Sequence, residues 1–122
     1  MTRSVLVVDD EPNIVLSLEF LMKQAGLEVR TAVDGRAALD SVRAEAPNLV
    51  LLDISMPNGD GFEVCRAIRA NPAWAEIRII MLTAKGGEAE RKEGLAAGAD
   101  DYITKPFSTR EVLDRVKAQI AL

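Results

Sequence analysis

Four apolar runs in this sequence end on side chains that could do chemistry together. Residues 5–8 run into Asp9-Asp10-Glu11, residues 49–52 into Asp53, residues 77–82 into Thr83, and the segment ADDYIT into Thr104-Lys105. Asp53 poses the sharpest question, because a carboxylate closing a buried strand needs a cation or donors to offset its desolvation. Several converging carboxylates would repel one another unless a cation sat among them. A donor set of oxygens, with no imidazole or thiolate nearby, fits Mg²⁺, which shares its shell with water and phosphate oxygens. Lys105 adds a fixed positive charge and Thr83 a hydroxyl donor. A metal held by Asp9, Asp10 and Asp53, an ammonium and a hydroxyl around one carboxylate are the parts that stabilise phosphoryl transfer to it.

The elements that must bring these groups together are legible from periodicity. Residues 4–9 form a short apolar run, followed by Pro12 at a first helical position. Ile14, Leu18, Leu21, Met22 and Ala25 then recur at helical spacing until Gly26. Residues 27–33 alternate as an edge strand would, and Asp34 can cap a helix running to about Ala46. Residues 48–54 are dominated by the unbroken apolar run 49–52, as in a strand covered on both faces. Beyond them, Pro57, Gly59 and Gly61 mark a turn. Phe62, Cys65 and Ile68 mark a third helix closed by Asn71-Pro72, with Trp74 covering the next loop. A strand over 77–83, a weak helix over 87–97 carrying Gly94, and a strand over 99–104 follow, with Gly86-Gly87 a connector. Ser108 and Glu111 form a capping-box pattern before a last helix with Val112, Leu113, Val116 and Ile120.

Strands alternating with helices imply a parallel sheet with helices on both faces. Right-handed crossovers then place all strand carboxyl ends along one edge, where ligands of such sheets bind. Singly, each polar residue there has an ordinary role as a turn former, helix cap or strand residue. Their convergence on one edge is what argues for function.

Composition bounds the rest. At 122 residues the chain is read as one domain, 1–122. The net charge of −4 gives no basis for direct nucleic-acid binding. A single cysteine, Cys65, rules out an intrachain disulfide and points to a reducing, cytoplasmic setting. The apolar run after Arg3 is too short for a signal peptide or spanning helix, so no membrane is expected. The absence of histidine removes Ser/His and Cys/His catalysis and zinc sites with nitrogen ligands.

The segments VLVVDDEP, LVLLDISMPNGDGFEV, IIMLTA and GADDYITKPF together resemble the receiver domain of two-component response regulators. The resemblance covers nearly the whole chain and implies a flavodoxin-like, doubly wound five-stranded parallel sheet in the order 2-1-3-4-5 with five helices. It implies that Asp53 is the phosphoacceptor, that Asp10 and Asp53 ligate Mg²⁺ with the Ser55 backbone carbonyl, and that Asp9 acts mostly through water. Thr83 would follow the phosphoryl group, Lys105 would pair with it, and Tyr102 would be the switch aromatic. Lys105-Pro106 falls at the family's cis peptide. Ser55 and Lys85 fall at positions that tune phosphoryl lifetime.

The implied function is a phosphorylation-activated signalling switch whose only chemistry is self-phosphorylation and autodephosphorylation. Its donor would be a histidine kinase or histidine phosphotransfer protein acting in trans. No output domain is evident, which favours a stand-alone receiver. Receivers that dimerise through helix four, strand five and helix five resemble this chain at Arg91, Leu95, Asp101, Glu111 and Arg115. Cross-subunit pairs of Arg91 with Glu111 and Asp101 with Arg115 would follow. Alternatives are an aspartate-nucleophile phosphatase, which wants a carboxylate where Ser55 stands, a flavodoxin-like cofactor binder, and an interaction module without phosphoryl turnover.

Overall fold

The computed structural model describes residues 3–56, 60–84 and 87–121. The turn expected over 57–59, Lys85 and Gly86 lie outside the described residues. The elements are β1 (Ser4–Val8), α1 (Pro12–Gln24), β2 (Glu28–Ala32), α2 (Gly35–Ala44), β3 (Leu49–Asp53), α3 (Asp60–Ala70), β4 (Arg78–Thr83), α4 (Glu88–Ala97), β5 (Asp101–Thr104) and α5 (Thr109–Gln119). The sheet is parallel, in the order β2-β1-β3-β4-β5. That is the expected flavodoxin-like arrangement, with β2 at an edge.

The local signals act as the sequence predicts. Pro12 opens α1, where its missing N–H costs nothing. The Asp34 carboxylate accepts from the Ala37 N–H at 2.8 Å, and the Ser108 hydroxyl from the Glu111 N–H at 3.1 Å. Two details differ. Helix α2 stops at Ala44 rather than about Ala46, with Arg30 reaching from β2 to its exposed carbonyls. The guanidinium donates to the Ser41 carbonyl and hydroxyl, each at 2.7 Å, and to the Glu45 carbonyl. A 3₁₀ turn, Pro72–Trp74, follows α3, capped by the Asn71 side chain on the Ala73 N–H at 3.0 Å. Trp74 packs against the core there.

The core lies on both sides of the sheet. Val5, Val7, Leu49, Leu51, Ile80, Leu82 and Ile103 face α1 and α5, meeting Leu18, Met22, Val112 and Val116. Leu6, Val8, Val50, Leu52, Ile79 and Met81 face the other way, against Ala38 and Val42 of α2 and Val64, Cys65 and Ile68 of α3. This period-two division decides which layer each functional side chain joins. Cys65 is wholly buried, and that burial pushes its thiol up to about 11, consistent with packing rather than chemistry.

Two glycines sit at close approaches. A Cβ on Gly61 would lie 2.6 Å from the Asp53 carbonyl oxygen and 2.7 Å from Ile54 Cα, so α3 begins hard against the end of β3. A Cβ on Gly94 would lie 2.4 Å from Met81 Sδ, which seats α4 directly on β4. Gly94 therefore has a packing role that the sequence pattern, read as a weak helix, does not convey.

Candidate functional site

The register brings the predicted residues to one edge. Val8 pairs with Leu52, Asp53 with Leu82, and Thr83 with Thr104, so β1, β3, β4 and β5 end level with one another. Asp53 continues the alternation of Leu49 and Leu51 and belongs to the α1/α5 side. Thr83 continues Ile79 and Met81 and belongs to the opposite side, as does Tyr102, whose partner in register is Met81.

Asp9, Asp10 and Asp53 each present a carboxylate oxygen within 4.8 Å of the others. Asp9 and Asp53 are buried and Asp10 is exposed. Lys105 enters from the loop after β5, across the cis Lys105-Pro106 bond. Its ammonium donates to Asp9 Oδ2 at 2.9 Å and lies 3.4 Å from both Glu11 Oε1 and Asp53 Oδ2. The lysine thus makes its shortest contact with Asp9 rather than with Asp53, and it gathers in Glu11, to which the sequence assigns no particular role. Its adjacency to Asp9-Asp10 was the available signal.

The two oxygens of Asp53 differ. Oδ1 accepts from the Ser55 N–H at 2.9 Å and from the Ser55 hydroxyl at 2.6 Å. Oδ2 is buried and, like Thr83 Oγ1, has no hydrogen-bond partner among the described residues. Buried polar atoms are nearly always paired, so two such atoms at one edge indicate a place for a ligand. The Ser55 side chain, expected to tune phosphoryl lifetime, thus touches Asp53 directly, a contact the sequence does not convey.

Electrostatics point the same way. Burial leads in raising the Asp9 carboxyl, and the nearby Asp53 charge adds to it, against the Glu11 N–H and Lys105. Burial opposes the Lys105 charge, but its hydrogen bond to Asp9 and the charges of Asp53, Asp9 and Glu11 outweigh that, so its pKa is raised. Asp9, Glu11 and Asp53 gather about one ammonium, and Asp10 lies beside Asp9 and Asp53. This all-oxygen, strongly negative donor set fits a hard divalent cation such as Mg²⁺.

The remaining predicted residues lie on α4, β5 and α5. Arg91 donates to the Tyr102 hydroxyl at 3.0 Å, has its guanidinium carbon 4.8 Å from the centre of that ring, and pairs with Glu88. Arg115 pairs with Asp101 at 3.0 Å within the same chain, and Leu95 is 47% exposed. Both arginines expected to reach across to a partner thus have partners in their own chain.

The fold and site define a doubly wound parallel α/β protein with an acidic carboxyl-terminal rim. Its sequence matches the response regulator receiver domain family over residues 5–117, and the chain belongs to that family. It is similar to a candidate response regulator from Chloroflexus aurantiacus, at 35% identity and a TM-score of 0.93 over 100% of both chains. It is similar also to the Vibrio cholerae chemotaxis protein CheY4, at 32% identity and a TM-score of 0.92 over 98% of this chain and 100% of that one. A third likeness is to the BeF3-activated DrrB receiver domain, at 36% identity and a TM-score of 0.87 over 98% and 97%. Receiver domains are phosphorylation-activated switches of two-component signalling, which interact with histidine kinases or phosphotransfer proteins and bind Mg²⁺ at an acidic pocket.

Proposed function

We propose that this chain accepts a phosphoryl group on Asp53 from the phosphohistidine of a kinase or phosphotransfer protein. The observation that carries the reading is the pair of buried oxygens without a hydrogen bond among the described residues, Asp53 Oδ2 and Thr83 Oγ1, the first 3.4 Å from the Lys105 ammonium. The chain has no histidine, so the donor imidazole comes in trans. Asp53 Oδ2, the oxygen free of hydrogen bonds, bonds to phosphorus as the P–N bond of the donor breaks. The electron pair leaves on the imidazole nitrogen, which takes up a proton, and an acyl phosphate forms. Ser55 holds Oδ1 and so fixes the plane of the nucleophile. Lys105 neutralises developing charge on the phosphoryl oxygens, and the Thr83 hydroxyl donates to one of them.

Asp10, Asp53 and the Ser55 backbone carbonyl would hold Mg²⁺, with Asp9 acting through water. When bound, the ion supplies positive charge to the phosphoryl oxygens. Because Thr83 and Tyr102 share a sheet face, movement of Thr83 toward the phosphoryl group opens space into which Tyr102 turns. Helix α4 follows, and the α4/β5/α5 surface changes. That surface is the proposed site of a phosphorylation-dependent homodimer.

The test is incubation with acetyl phosphate, with and without Mg²⁺, followed by intact mass. One hydroxylamine-labile phosphoryl group is expected with Mg²⁺ alone, and none on Asp53→Ala. A mass gain that survives in Asp53→Ala, or in EDTA, overturns the assignment. No gain in the wild-type chain would favour the interaction module without turnover.

A further inference from the structure

The contact between Arg91 and Tyr102 depends on the present orientation of the ring. One guanidinium nitrogen donates to the phenol oxygen at 3.0 Å, while the guanidinium carbon lies 4.8 Å from the ring centre. Both contacts require the phenol to stay beneath α4. An inward turn of the ring would carry it away from the guanidinium and lose both. Glu88, one helical turn back, pairs with the same guanidinium and restricts where it can go.

The rest of α4 is anchored differently. Its carboxyl end is tied to the body of the protein. Arg69 of α3 donates to the Gly98 carbonyl at 2.8 Å, to the Ile77 carbonyl at 2.7 Å and to Asp100 at 2.8 Å. Asp100 in turn accepts from the Ile79 N–H at 2.8 Å. The middle of the helix rests on Met81 through Gly94. The amino end has no side-chain cap, and among the described residues Arg91 supplies the hydrogen bond joining that half to the sheet.

We propose that Arg91 is a latch that holds Tyr102 in the unphosphorylated orientation and α4 in its resting seat. The latch rests on the switch reading above. Among the described residues Arg91 has no hydrogen bond or ion pair with Asp53, Thr83 or Lys105, so it is a positioning residue acting through Tyr102. A group that stabilises one of two states shifts their balance by its differential contact and no more. Losing one hydrogen bond and one cation–π contact should shift that balance roughly fivefold toward the activated form.

Tyr102 is the sole tyrosine of the chain, so incorporation of 3-fluorotyrosine gives a single ¹⁹F resonance for it. In the wild type with Mg²⁺, beryllofluoride should move that resonance. Without beryllofluoride, Arg91→Ala should move it part of the way to the same position and raise the rate of acetyl phosphate labelling by roughly fivefold. Arg91→Lys, which keeps the charge but not the planar stack, should fall between. Glu88→Gln should act in the same direction more weakly and guards against a folding defect in the alanine variant. If the wild type is phosphorylated but either readout stands still in Arg91→Ala, the latch is overturned and the switch stands. A wild-type chain that takes no phosphoryl group and shows no shift overturns the switch reading, and the latch with it.

Discussion

At the scale of single residues, the site places its charges unevenly. Asp9 is fully buried and Asp53 nearly so, and the ammonium of Lys105 is divided between them and Glu11. Two buried carboxylates that share one lysine are held at a cost to the fold, which a cation would relieve. Asp9→Asn keeps an acceptor for Lys105 and removes one negative charge. Without metal, the variant should be more stable than wild type by about 1 kcal/mol, or roughly 4 °C in Tm. The rise in Tm on adding Mg²⁺ should shrink in the same variant. Thermal denaturation with and without Mg²⁺ measures both, and a destabilised metal-free Asp9→Asn would contradict the charge argument.

At the scale of elements, α4 is defined by how closely it lies on the sheet. Alanine is a better helix former than glycine by about 1 kcal/mol, so Gly94→Ala would stabilise an isolated helix. Here the added Cβ would meet Met81 Sδ, in a side chain that is itself buried, so Met81 must shift within the core to admit it. Gly94→Ala should therefore cost about 1–3 kcal/mol of stability. In a Met81→Ala background, the same substitution should be neutral or stabilising, because the obstacle is gone. A double-mutant cycle from urea denaturation reads this coupling directly. Additive effects would show that Gly94 is present for some other reason.

At the scale of the whole molecule, the sheet separates two tasks. Asp53, the proposed acceptor, belongs by its alternation to the α1/α5 side, whereas Thr83 by its alternation and Tyr102 by its packing belong to the side of α2, α3 and α4. In the proposed switch, a change at the rim would pass through β4 to the opposite face rather than along the face where it began. The homodimer proposed for α4, β5 and α5 must exchange in-chain partners for cross-subunit ones, since Asp101 already pairs with Arg115 and Arg91 with Glu88. Exposed ion pairs contribute only about 0–1 kcal/mol each, so Leu95 must supply apolar contact. Sedimentation velocity over a range of concentrations should show a monomer without beryllofluoride and association with it. Leu95→Ala should weaken that association, and a monomer under both conditions would remove the homodimer. No helix among the described residues is long and apolar enough to cross a membrane.

The sequence by itself determined the alternation of strands and helices, the caps at Asp34 and Ser108, and the convergence of Asp9, Asp10, Asp53, Thr83 and Lys105 on one edge. These follow from periodicity and local hydrogen bonding, which depend on neighbours a few residues apart. The strand order was implied by the family resemblance and then seen in the sheet. Only the tertiary structure decided which carboxylate takes the shortest contact with Lys105, because that choice rests on tenths of an ångström between side chains 96 positions apart. The same holds for the Ser55 hydroxyl on Asp53, the in-chain partners of Arg91 and Arg115, and the early end of α2 under Arg30. Gly94 marks the boundary most clearly. In the sequence it reads as a weak point in a helix, and in the fold it lets α4 rest on Met81 without displacing it.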